Sequence, residues 1–222
     1  MTCLKHFQSL FCQVFSEEGK FLKQIRTGYP PYSLACDHHY NLVVCTTGRT
    51  VELYTELQLV KVFSIPSSSG GRKGGNCPMH VGISDQEEIF VSDPTDQCIK
   101  VFNFEGSFLL QFKPRAHAEG LACSPGGICV TVLGQLLISD TLNHSVGLFT
   151  NTGTFLKQVV VPTDDVGCLH SVAVGPEGHL ITSEFSMTGE HCVKIFRYRE
   201  CPCHEGKLPS SKKRTPVTSP DV

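Results

Sequence analysis

An all-β chain built from repeated four-stranded sheets is what this sequence predicts, and three observations predict it. A motif recurs with a period near 47 residues. Inside each copy, short apolar runs alternate with period two between turn residues, and no window carries a convincing helical period. Four short strands per repeat of roughly 45 residues is the pattern of a β-propeller blade.

Three copies stack well, starting at Pro78, Pro125 and Leu169, and a fainter one starts at Pro31, giving steps of 47, 47 and 44 residues. A spacing of 12 residues recurs in each copy: Ser33 to Cys45, His80 to Ser92, Gly127 to Ser139 and Ser171 to Ser183. In the copy from Pro78 the strands are expected at 81–83, 89–91, 98–102 and 108–112. Gly106, Gly134, Gly153 and Gly178 fall at the reversals, where tight turns need them. Phe102, Phe149 and Phe196 are then equivalent residues, expected in the core. Residues 12–25 match only the end of a repeat, with Val14-Phe15 as a third strand and Phe21-Leu22 as a fourth. The last copy stops after its third strand near Tyr198.

This divides the chain into a lead at 1–11, a propeller at 12–198 and a disordered basic, Ser-Pro tail at 199–222. The repeats lie near 31–65, 78–112, 125–161 and 169–198, with the partial one at 12–25. About four blades plus a partial one do not close a ring on paper. A truncated form, an unusually small ring and completion by another chain all remain open. The first is favoured, because the strand at 13–15 is surplus to a ring closed through 20–25.

Composition excludes several classes. Hydrophobic residues make up 40% and charged ones 18% of the 222, enough apolar content for a core. Nineteen basic against 21 acidic residues give a net charge of -2, which argues against a nucleic-acid binder driven by overall charge. No apolar run approaches the ~18 residues of a membrane helix, so no membrane partner is expected. The first residues show no signal peptide, and the twelve cysteines contain no C-x-x-C pair. They read as reduced thiols of a cytoplasmic protein.

The copy from Pro125 carries Pro125, Gly127, Ile128, Gly134, Leu136, Ile138, Ser139, Asp140, Asn143, His144, Val146, Phe149, Gly153, Phe155 and Leu156 in the order P-x-G-I … G-x-L-x-I-S-D-x-x-N-H-x-V … F-x-x-x-G-x-F-L. This resembles the NHL repeat, and the resemblance covers about residues 10–198. It departs from the pattern at Thr46 and Glu184, which stand where the Asp of the pair should be. In style it is nearest to malin and the tripartite-motif NHL ubiquitin ligases, without their RING. The resemblance implies a propeller of usually six blades. It also implies a binding face formed by the loops before strand one and between strands two and three. The function it implies is non-catalytic protein binding, as in the substrate-recognition part of ubiquitin ligases in the ubiquitin–proteasome pathway. The alternative it carries is a single-stranded RNA-binding module in post-transcriptional regulation.

On that loop face the residues expected to meet a partner are Arg26, Tyr32, Arg49, Arg72, Lys73, Arg115 and His117. Basic loop residues gather ahead of the second and third copies and acidic ones around the fourth. Such a polarised face suits a protein better than a phosphate backbone, and loop aromatics for base stacking are few. Asp93, Asp140 and Glu184 share one repeat position and are expected to accept turn amides, with Asn143 and His144 as a packed turn, so their roles are structural. His38, His39 and His80 lack clustered partners at metal-ligand spacing, and no metal or cofactor is expected. A G-x-S-x-G elbow and a Walker loop are absent. Neither an enzyme nor a small-molecule substrate is therefore expected. In the tail, Cys201, Cys203 and His204 make a poor metal site. Lys212-Lys213-Arg214 reads as a weak nuclear address or as solubilising charge, and Thr215-Pro216 and Ser219-Pro220 are proline-directed phosphorylation motifs.

Overall fold

The computed structural model describes residues 2–5, 10–16, 18–67, 79–116, 121–175, 178–185 and 191–197. Arg72, Lys73, His117 and the whole tail from 199 lie outside the described residues. Among those described, the chain is all-β, with one turn of 3-10 helix at Pro162–Asp164.

Five antiparallel sheets follow one another in chain order, arranged as the blades of a β-propeller. The first holds β1 (Thr2–Lys5), β2 (Phe11–Phe15) and β3 (Phe21–Arg26). The second holds β4 (Pro31–Cys36), β5 (Leu42–Thr46), β6 (Thr50–Thr55) and β7 (Gln58–Ser64). The third holds β8 (His80–Ile83), β9 (Glu88–Asp93), β10 (Cys98–Asn103) and β11 (Phe108–Phe112). A short hairpin, β12 (Arg115–Ala116) with β13 (Leu121–Ala122), precedes the fourth sheet. That sheet is β14 (Pro125–Val130), β15 (Leu136–Asp140), β16 (Ser145–Phe149) and β17 (Phe155–Val160). The fifth is β18 (Cys168–Val174), β19 (His179–Phe185) and β20 (Cys192–Arg197). Four blades and a partial one are thus present, as the repeat implies.

Strand periodicity explains why the sheets stack. Successive side chains of a strand point to opposite faces, and each face of an inner sheet meets a neighbouring blade. In β9, Ile89 and Val91 enter the core shared with the second sheet, whereas Phe90 enters the core shared with the fourth. In β5, Val43 and Cys45 pack toward the third sheet while Leu42 and Val44 pack toward the first. Leu137 leaves its neighbours Leu136 and Ile138 to join the core between the fourth and fifth sheets. Both faces being buried, these strands read as continuous apolar runs.

The innermost strands β4, β8, β14 and β18 run side by side around the axis. β14 and β18 approach closely, so that a Cβ on Gly127 would stand 2.6 Å from the Cα of Ser171. Only glycine fits there. Ser33 Oγ accepts from Val81 N, and Ser92 Oγ donates to Gly126 O at 2.6 Å, so polar links tie β4 to β8 and β9 to β14.

Two differences from the sequence reading stand out. The stretch read as a lead contains β1, which pairs with β2 in the register Thr2↔Phe15 to Lys5↔Cys12. Four residues of Thr-Cys-Leu-Lys are too short for a period-two pattern to register. β1 packs on β4, the relation that β9 has to β14, so it holds a second-strand place and the first sheet shows no innermost strand among the described residues. Phe196, moreover, is half-buried, whereas Phe102 and Phe149 are each 1% exposed. Phe102 and Phe149 meet the outer-strand rings Phe108 and Phe155 edge-on, at 5.8 and 5.5 Å between centroids. The fifth sheet has no outer strand among the described residues to cover Phe196.

Candidate functional site

Strands one and three of each blade start, and strands two and four end, at one face, so the loops before strand one and between strands two and three gather there. At the close of the second strand stands the acid column, and the third residue of the third strand stands beside it. In the third sheet this is a buried network. Asp93 is fully buried and accepts from Lys100 Nζ and Arg49 Nη2, each at 2.7 Å, and Lys100 also meets Asp96 at 2.5 Å. Burial alone would push the Asp93 carboxyl up, but the hydrogen bonds from Arg49 and Lys100 outweigh it and hold it below the usual carboxylate range. Burial likewise disfavours the Lys100 ammonium, and Asp93 and Asp96 outweigh it, raising its value.

The other blades vary this column and compensate. In the fifth, Glu184 pairs with Lys194 at 2.8 Å, and its other oxygen accepts from Gly167 N. In the fourth, glycine (Gly147) replaces the lysine, and Asp140 takes the amides of Leu142 and Asn143 together with Asn143 Nδ2 at 2.6 Å. In the second, Thr46 replaces the acid and Glu52 replaces the lysine. Glu52 is buried and accepts from Gly28 N at 2.8 Å and from the Tyr54 hydroxyl at 2.5 Å. Burial, then Glu52, push the Tyr54 phenol far above the usual range.

The residue just before the third strand adopts a left-handed conformation in three blades: Arg49 (φ 56), Gln97 (φ 51) and His144 (φ 48). From there Arg49 reaches Asp93 in the next blade, and His144 Nδ1 meets Gly167 O at 2.9 Å, again in the next blade. These side chains strap blade to blade. Arg49, expected to meet a partner, thus has its guanidinium turned to Asp93 and Pro66 O.

What stays exposed on this face is partly aromatic and aliphatic. Tyr29 (53% exposed) lies over Gly48, where a Cβ would meet its ring at 2.5 Å. Leu142 (59%) tops the 141–144 turn, and Phe185 (48%) stacks on His191 at 4.9 Å. Arg26, Lys113 and Arg115 are exposed basic residues, and Asp164 and Asp165 exposed acidic ones. Tyr32, one step inside the mouth on β4, is not in this rim. Its hydroxyl lies 3.0 Å from His170 Nε2 on β18, and the His80 ring on β8 stands edge-on to both, at 5.4 and 5.0 Å. The structure therefore brings Tyr32, His80 and His170 together from three blades, a trio that linear motifs miss. Aligning the repeats would have found it, because Tyr32 and His170 occupy the second residue of their copies and His80 the third. Two imidazoles and a phenol can bond a polar ligand and relay a proton. Among the described residues, no group of three or more His, Cys, Asp and Glu is placed to hold a metal.

No protein-family model matches the chain. A curated relative, the mouse (Mus musculus) NHL-repeat-containing protein 4, is 24% identical over 74 residues, which are 33% of this chain and 50% of that protein. Among solved structures, a virginiamycin B lyase from Staphylococcus aureus superposes with a TM-score of 0.59 at 14% identity, over 87% of this chain and 64% of that one. The dihydro-heme d1 dehydrogenase NirN superposes with a TM-score of 0.57 at 12% identity, over 88% of this chain and 40% of that one. The matched regions thus span about half of the curated relative and under two thirds of these structures. The likeness is to NHL-like propellers, and at these identities the solved structures speak for the fold alone.

They also correct one expectation. The sequence excluded an enzyme for want of linear signatures, yet propellers of this backbone include a lyase and a dehydrogenase. In such a fold a site is assembled across inner strands of separate blades, as the Tyr32–His80–His170 trio is, and no contiguous motif records it. Neither this fold nor the missing motifs argue against catalysis.

Proposed function

We propose that this chain is a protein-recognition propeller that takes its partner on the loop face. The observation that carries the reading is what that face leaves exposed. Arg49, Lys100, Asp93 and Glu184 are turned into the straps, and Tyr29, Leu142 and Phe185 are left as separated apolar anchors on a face that also exposes Arg26, Lys113, Arg115, Asp164 and Asp165. Aromatic and aliphatic anchors inside a polar rim suit a protein surface. A strand of phosphates would need a continuous basic track with stacking platforms. The repeat's resemblance supports a finer reading, recognition of a substrate in the ubiquitin–proteasome pathway. A reducing compartment such as the cytoplasm fits the free thiols of Cys12, Cys36, Cys45, Cys98, Cys123, Cys129, Cys168 and Cys192. No helix among the described residues is long and apolar enough to cross a membrane.

The test is quantitative affinity capture with the wild-type chain and with a Tyr29→Ser, Leu142→Asp, Phe185→Ser variant. Partners that fall at least tenfold in the variant while its Tm stays within a few degrees support the reading. An unchanged partner list, or recovery of RNA alone, overturns it.

A further inference from the structure

The opposite face, where strands one turn into two and three into four, has a different character. The β14–β15 turn there presents Val132 and Leu133 at 77% and 71% exposure, the two most exposed large apolar side chains among the described residues. They do not project from a bare surface. Together with Thr131 they form one wall of a cleft of about 280 Å³, whose other wall is Asp85, Gln86 and Glu88 from the turn and strand start of the third blade. The lining carries two carboxylates and no basic side chain.

The surroundings extend that charge. Among the described residues, the turns of this face and the residues flanking them bear Glu18, Glu56, Asp85, Glu87, Glu88 and Glu105 against Lys20 and Arg197, with Lys23 Nζ donating to Leu57 O in the β6–β7 turn; none of Lys20, Lys23 and Arg197 lines the cleft. Asp37 is occupied within its own turn, accepting from His39 N, Asn41 N and Asn41 Nδ2. His38 Nδ1 meets one oxygen of Asp85 at 2.7 Å, and this pair is exposed, so it gives little and yields readily to a stronger cation. An exposed aliphatic pair beside Glu88 and an Asp85 held only by that exposed contact is complementary to one kind of chemistry.

We propose that the cleft between the β8–β9 and β14–β15 turns is a second docking surface, and that it takes a Lys/Arg-rich protein segment carrying an aliphatic side chain. The aliphatic group packs on Val132 and Leu133, and the flanking cations face Asp85 and Glu88. This surface lies at the opposite end of the propeller from the loop face, so the two can be occupied together, the chain then linking two proteins.

The probe is a fluorescein-labelled peptide of eight residues, with leucine flanked on both sides by lysine and arginine, titrated by fluorescence anisotropy. Two control peptides replace the leucine by serine or the basic residues by glutamate. The wild-type chain should bind the probe at least tenfold more tightly than either control. Leu133→Asp should weaken binding about tenfold. Asp85→Lys with Glu88→Lys should abolish it, and raising the salt should weaken the wild-type complex. The Tyr29, Leu142 and Phe185 variant should bind the probe like wild type, so that failure here and failure of the loop-face reading are told apart. Equal binding of the leucine and serine peptides, or retention of binding in either cleft variant, overturns the proposal.

Discussion

The Tyr32 hydroxyl lies 3.0 Å from Nε2 of His170, 138 residues further along the chain. It joins β4 to β18, the first and last innermost strands, and so draws together the two ends of the row that β8 and β14 complete. The edge-on His80 ring fills the space between them.

If that contact holds the inner strands together, Tyr32→Phe and His170→Ala should be coupled. A double-mutant cycle by urea denaturation should return about 0.5–1.5 kcal/mol of interaction energy, the worth of a net hydrogen bond. Additivity of the two changes would show that the contact is incidental to stability.

The Phe column gives a graded expectation. Phe149→Ala empties a fully buried, edge-on-stacked position and should cost about 3–5 kcal/mol. Phe196→Ala should cost roughly half of that or less, because its side chain is only half-buried. Equal losses in Cm at constant m-value would contradict the uncovered fifth sheet.

Asp93 links stability to acid. Its folded-state value is depressed, so its contribution is present above about pH 4, the unfolded range, and is lost as pH falls through the folded value. Asp93→Asn leaves Lys100 and Arg49 short of their shared carboxylate. The variant should lose about 3 kcal/mol at pH 7 and show a shallower decline on acidification than wild type. Lys100, raised in the folded state, contributes below its unfolded value and loses that contribution only as pH rises through the folded one. Thermal melts from pH 7 down to pH 3 test the acid limb, and parallel curves for the two proteins would argue against the network.

Tyr54 makes an alkaline counterpart. Its phenol is raised far above normal and donates to Glu52, so its stabilisation holds below about pH 10 and is lost above it. Absorbance titration of the five tyrosines should show one that ionises only as the chain unfolds, and Tyr54→Phe should abolish that step. Ionisation of Tyr54 with the others in the folded protein would contradict the buried Glu52 pair.

Much of this architecture is legible in the sequence because the repeat is. A fixed 12-residue spacing such as His80 to Ser92 sets the register of strands one and two, and His80 does pair with Ser92. The glycines Gly106 and Gly153 mark the three–four turns with positive φ. The strand Thr2–Lys5 was invisible because its pairing with β2, rather than its own pattern, makes it a strand. The site was less legible for a related reason. A reading along the chain treats Arg49 as a loop cation and His80 as an isolated histidine. Their partners Asp93 and His170 are brought to them by the stacking of blades, 44 and 90 residues away. Charge swaps such as Glu52 for lysine beside Thr46 for the acid are also readable only by column.

The loop face is the central claim, and site-specific photo-crosslinking tests it most directly. A benzophenone side chain placed at Leu142, in the turn of the fourth blade, should capture a protein partner in cell extract. The same group at Leu109 (47% exposed) on the outer strand β11 should not. Protein adducts at Leu142 that are lost when Tyr29 and Phe185 are both changed to serine are the result expected. Adducts at Leu109 but not at Leu142, or adducts to RNA only, would contradict the account.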